Sequence, residues 1–126
     1  AGASAGCARR ARVNLPAAAA IEEGAFRNCA ALASANLPAA AAIGTNAFRN
    51  CYALASLTLG ATPPELGATV FYDAGKDTAE GFTIYVPNET AQTTLEAKIA
   101  TAGSDWYTAL NTGIEDGKYD KVAVTP

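Results

Sequence analysis

The sequence predicts an α/β solenoid in which short parallel strands stack coil upon coil, closed at the C-terminal end by a small helical cap. Three observations predict it. The segment from Leu15 to Asn36 returns as Leu37 to Thr58, with matched residue types at matched places. Within each copy a short stretch alternates apolar and polar residues, which is the period of a strand with one buried face. Beyond Pro87 the repeat gives way to helical spacing. We therefore divide the chain into a solenoid over residues 1–87 and a capping segment over residues 88–126.

The repeat reads Leu15-Pro16, four alanines, Ile21, then Ala25-Phe26-Arg27-Asn28-Cys29, Leu32, Ser34 and Asn36. Its second copy reads Leu37-Pro38, four alanines, Ile43, then Ala47-Phe48-Arg49-Asn50-Cys51, Leu54, Ser56 and Thr58. Cys7, Arg12, Val13, Asn14 and Leu15 stand at the equivalent places one period earlier. Forwards, Leu59-Gly60 opens a last, stretched unit that ends at Ile84-Tyr85-Val86-Pro87. A fixed period above about 20 with matched apolar positions marks a solenoid. The chain opens inside a repeat, so an N-terminal cap or further coils are expected ahead of it.

Each unit has a physical reading. Val13 and Leu15, Ala35 and Leu37, Leu57 and Leu59, and Ile84 and Val86 alternate with polar residues and should point into the core. Pro16 and Pro38 end their strands, because proline donates no ladder hydrogen bond. Gly24 and Asn46 are equivalent and both tolerate positive φ, so a tight turn is expected there. Ile21, Phe26 and Leu32, with their copies Ile43, Phe48 and Leu54, should fill the space between the strands and the opposite wall.

Composition excludes several alternatives. Alanine makes up 31 of the 126 residues, 21 of them in the first 55, yet the Leu-Pro, Gly and Asn-Cys steps between them break a helical bundle. No run of about 18 apolar residues could span a membrane. Charged residues are only 17% and large apolar residues are regularly placed, which argues against disorder. A net charge of −3 argues against a nucleic-acid partner. The charge is uneven, +3 over residues 1–55 and −6 over residues 56–126.

The Ala-Phe-x-Asn-Cys steps resemble the bacterial BspA-type leucine-rich repeat, also called the Treponema-pallidum-type repeat. Its pattern is roughly L-P-x-x-x-x-I-G-x-x-A-F-x-N-C-x-x-L-x-x-V-x-L-P, and residues 15–59 follow it closely. The run Ala61-Thr62-Pro63-Pro64, then Ile84 to Pro87, then a helical stretch with Trp106, is similar to the closing module of that family. Residues 1–12 fit less well, with Ser4 where the pattern has Phe. The resemblance implies a curved, right-handed leucine-rich-repeat solenoid on an exported or surface-attached bacterial protein, used in adhesion or protein binding. Ala35 stands where its neighbours have Val13 and Leu57, and the runs 17–20 and 39–42 stand where the family places a buried aliphatic residue. Many of these alanines therefore read as stand-ins for larger side chains, which an intact mass well above that of the written sequence would show.

Within the cap, Asn88 is expected to start a helix over roughly Thr90 to Ala102, with Leu95 and Ile99 on one face. Asp105 should begin a second short helix carrying Trp106 and Leu110, and Lys121 to Val124 a last strand. Trp106 reads as a core plug rather than a ligand platform.

Candidate chemistry is sparse. Without histidine the commonest general base and metal ligand is missing. No Ser-x-x-Lys pair or nucleophile elbow appears, and nothing selects two of the twelve acids as a glycosidase pair. Cys7, Cys29 and Cys51 are evenly spaced by one period and read as a buried file of structural thiols rather than a disulfide or a zinc site. Asn28 and Asn50 should stack as buried amides satisfying turn backbone groups. Arg27 and Arg49 place like charges one coil apart; splaying into solvent near Glu22 and Glu23 is the simpler reading, an anion site the other. Asp73, Asp77 and Glu80 loosely suggest a calcium loop, although EF-hand spacing is absent. The Asn88-Glu89-Thr90 sequon is more simply a helix cap.

The expected function is therefore non-enzymatic binding, with no cofactor and no metal. Parallel stacking should align Arg12, Ser34, Ser56 and Thr83 in one outward column, and Asn14, Asn36, Thr58 and Tyr85 in the next. These eight residues are the candidate binding face, suited to a protein or glycan partner on a host or neighbouring cell surface. A structural spacer or assembly element with no ligand of its own is the alternative.

Overall fold

The computed structural model of the chain describes residues 9–126; Ser4 and Cys7, which figure in the repeat, lie outside them. A five-stranded sheet forms one wall. Its strands are β1 (Arg12–Asn14), β3 (Ser34–Leu37), β5 (Ser56–Leu59), β7 (Phe82–Val86) and β8 (Tyr119–Val124), in that spatial order and all parallel. Val13, Ala35, Leu57, Ile84 and Val122 pair across all five strands and form one buried file. The alternation seen in the sequence is thus the alternation of core and outward faces.

A second, three-stranded parallel sheet lies outside the sequence expectations. It consists of β2 (Ala20–Ile21), β4 (Ala42–Ile43) and β6 (Glu65–Leu66). Strands this short cannot show a period of two, so the alternation gives no sign of them. The register of this sheet also locates the enlargement of the last coil. Ile43 is followed by Leu66, one position beyond the regular repeat, and most of the added chain therefore lies between β6 and β7.

Two files of left-handed residues turn the chain in each coil. Gly24, Asn46 and Thr69 have φ of 65°, 62° and 50°, and Asn28, Asn50 and Asp73 have φ of 64°, 63° and 58°. The first file fulfils the expected Gly24 and Asn46 turn. Between the walls lies a stack of rings: Phe26 on Phe48 at 5.4 Å, Phe48 on Phe71 at 6.0 Å, and Phe71 against Phe82 at 5.0 Å and Trp106 at 5.9 Å. Phe71 continues the Phe26–Phe48 file into the enlarged coil.

The cap is built largely as expected. Helix α1 (Glu89–Ala100) starts at Asn88, whose side-chain oxygen accepts from the Ala91 N–H at 2.9 Å. Leu95 is buried and Ile99 partly so. Helix α2 (Asp105–Leu110) is capped by Ser104, and Asp105 Oδ2 accepts from the Leu66 N–H at 2.8 Å, tying the cap to β6. Trp106 is fully buried. β8 then returns to pair with β7, a parallel return that needs the helices as its crossover. The capping segment therefore completes the large sheet rather than merely covering its end.

Candidate functional site

The outward residues of the large sheet fall into the two expected columns. Register places Arg12 beside Ser34, Ser56 and Thr83, and Asn14 beside Asn36, Thr58 and Tyr85. Neighbours within a column bond to one another. Asn36 Nδ2 donates to Asn14 Oδ1 at 2.7 Å, and Ser56 Oγ donates to Ser34 Oγ at 3.2 Å. Arg12 and Asn14 are exposed, whereas Ser34, Asn36, Ser56, Thr58 and Tyr85 are half-buried. Thr83 departs from the rest. It is only 9% exposed and sits 3.5 Å from Asp120 Oδ2, beside a register shift between Phe82 and Thr83. Sequence reasoning also missed the fifth strand's share of the face: Lys121 joins the first column next to Thr83, and Ala123 joins the second next to Tyr85.

Away from this face, three sequence expectations are corrected. Cys29 is disulfide-bonded, while Cys51 in the next coil is a free, buried thiol. Stacking of parallel coils about 4.8 Å apart brings equivalent cysteines within disulfide range, which outweighs the argument from their parallel Cβ directions. Cys51 Sγ donates to the Phe26 carbonyl at 3.0 Å, and burial pushes its pKa up to about 12.

Asn28 and Asn50 do stack, with Asn50 Nδ2 donating to Asn28 Oδ1 at 2.8 Å. However, Asn28 is exposed and Asn50 half-buried, and their shared feature is the left-handed backbone. Asparagine is used here because it tolerates αL. Arg49 does not splay into solvent. Its guanidinium carbon lies 4.2 Å from the centroid of the Tyr72 ring, and Nε is buried without a hydrogen-bond partner.

Among the described residues, no group of three or more His, Cys, Asp or Glu side chains could hold a metal ion. Asp73 Oδ1 instead accepts from the Asp116 N–H at 3.0 Å. An open cleft of about 520 Å³ lies between residues 38–41 and 60–63, with Glu65 its single charged side chain. A second, of about 440 Å³, lies between β6 and the cap, with Asp105 its single charge, already engaged by Leu66.

Comparison with known families gives a match to the BspA type leucine-rich repeat region, in six copies over residues 5–84. The chain belongs to the BspA-type leucine-rich repeat family. The matched stretch covers the whole coil series up to β7, and reaches back into the first residues, where the repeat pattern is weakest. No curated protein and no solved structure matched the chain. BspA-type repeats build a binding and scaffold fold, often engaged in surface interaction and typically surface-associated. No helix among the described residues is long and apolar enough to cross a membrane.

Proposed function

We propose that this chain is a non-enzymatic binding module of a bacterial cell-surface protein, engaging a protein or glycan through the outward face of its large sheet. The supporting observation is the unbroken register of the two polar columns across β1, β3, β5 and β7. Repeat proteins commonly bind along such extended faces. Hydroxyls and amides ordered by their own ladder bonds lose little freedom when a polar ligand settles on them. Arg12, Asn14, Ser34, Asn36, Ser56, Thr58 and Tyr85 are the assigned contacts; Thr83 supports them from a buried position. An extracellular setting agrees with the disulfide at Cys29, since such bonds persist in oxidising compartments. We assign residues 1–87 to the solenoid and 88–126 to the cap that closes it.

One observation favours the spacer or assembly element instead. No large hydrophobic side chain is exposed among the described residues, so the face lacks the apolar anchors common at protein interfaces. A glycan array and a capture experiment against host matrix proteins separate the two readings. The double variant Tyr85→Ala with Asn36→Ala should lose binding at unchanged thermal stability. Unchanged affinity removes the function from this face, and blank arrays throughout favour the spacer.

A further inference from the structure

The turns that follow the small sheet carry a second polar feature, separate from the strand face. Arg27 and Arg49 occupy equivalent places in adjacent coils, and the Asn28 N–H donates to the Arg49 carbonyl at 2.8 Å, so the two side chains leave the backbone about 4.8 Å apart. Two like charges at that separation repel, and natural sequences usually answer such a pair with a carboxylate. Here none answers it. Among the described residues no acid forms an ion pair with either arginine, and the Arg49 Nε–H is buried with no acceptor.

What holds Arg49 in place is the Tyr72 ring, 4.2 Å away. A guanidinium stacked on an aromatic face keeps its N–H fork ordered while one side is withdrawn from water. Asn28 and Asn50 flank it, locked in left-handed backbone and bonded to each other at 2.8 Å. The cluster is therefore rich in N–H donors and poor in acceptors.

We propose that Arg27 and Arg49, positioned by Tyr72 and flanked by Asn28 and Asn50, form a binding site for the sulfate or carboxylate groups of an anionic polysaccharide. Arginine forks match both groups in bidentate geometry, and such charge-assisted bonds are about twice as strong as neutral ones. An oxygen-rich sugar chain offers the acceptors that the cluster lacks. A polysaccharide rather than an acidic peptide follows from the surroundings, because no large hydrophobic side chain among the described residues is exposed to anchor a peptide. Beyond Asp73 the acidic C-terminal half confines the site to the first two coils.

The test uses the whole chain and a fully sulfated heparin oligosaccharide as probe, with a poly-glutamate peptide of equal charge beside it. Wild type should bind the oligosaccharide with salt-dependent affinity. Arg27→Gln and Arg49→Gln should each weaken it about tenfold, and Arg49→Lys should weaken it less. Arg27 is exposed, so its variant tests the site without disturbing the fold. A control with Arg9 and Arg10 both changed to Gln removes more charge from the same half than either site variant does and should leave affinity within about twofold. The proposal is overturned if wild type does not bind, if Arg27→Gln binds as wild type does, if the control loses as much as the site variants, or if poly-glutamate binds as tightly as the oligosaccharide.

Discussion

The indole Nε1–H of Trp106 donates to the Pro64 carbonyl at 2.9 Å, so the cap's single tryptophan is bonded to the loop that enters the small sheet's last strand. Ring stacking and this one bond act on the same layer, because Trp106 also lies 5.9 Å from Phe71. Trp106→Phe should cost about 1–3 kcal/mol, mainly for the buried carbonyl left unpaired. Trp106→Ala should cost about 3–5 kcal/mol, a large share of the roughly 5–15 kcal/mol that holds a domain. Urea unfolding of both variants measures the difference. Equal losses would assign the whole effect to the hydrogen bond, which both variants remove, and none to the ring, which only Ala removes.

Cys51 should be chemically silent. Its thiol is fully buried and raised to about 12 by that burial, so at pH 8 an alkylating reagent should label it only after unfolding. The same shift sets a pH dependence. Below pH 9, the thiol's ordinary value, folded and unfolded chains both hold the proton; between pH 9 and about 12 only the folded chain does. Stability should therefore fall with rising pH, at up to about 1.4 kcal/mol per unit. Tyr119, raised from 10 to about 12 by burial and then by Glu96 and Asp120, acts in the same direction. Cys51→Ala should flatten the part of the curve that begins near pH 9, as read by denaturation at fixed pH values.

Gly24 and Gly44 should respond differently to substitution. Gly24 has φ of 65° and open space around it, the nearest atom to an added Cβ being Arg27 Cβ at 3.9 Å. Its equivalent is Asn46 at φ 62°, so Gly24→Asn should stay within about 0.5 kcal/mol. Gly44 lets two coils approach: an added Cβ would lie 2.7 Å from the Glu23 backbone nitrogen. Gly44→Ala should cost about 1–3 kcal/mol and lower the melting temperature accordingly.

Ala35 interrupts a file that otherwise holds Val13, Leu57, Ile84 and Val122. Ala35→Val, which restores the branched side chain its file neighbour Val13 carries, should raise stability by about 0.5–2 kcal/mol. An increased urea midpoint at constant slope is the expected result. A loss would show that the coil has closed around the smaller residue.

Much of the fold was legible because a solenoid repeats its own local physics. The registers Val13–Ala35–Leu57 and Arg12–Ser34–Ser56 are the sequence period restated as hydrogen bonds. The candidate face followed for the same reason, since alternate residues must leave a strand on the same side. Asn88 was readable as a cap because capping depends on near neighbours along the chain, whereas the second helix was expected to begin at Asp105 and its cap, Ser104, came only with the structure.

What the sequence by itself determined, then, is the period, the buried file, the outward columns and the helical end. Each depends on spacing along the chain. Tertiary structure alone decided which residues meet across coils and across the cap. It placed Arg49 on Tyr72, joined Lys121 to the Thr83 column, buried Thr83, and left Cys51 as the free thiol beside a bonded Cys29. The enlarged last coil breaks the period where most of these contacts arise. Equivalence can no longer be counted there, and only packing in three dimensions selects the partner.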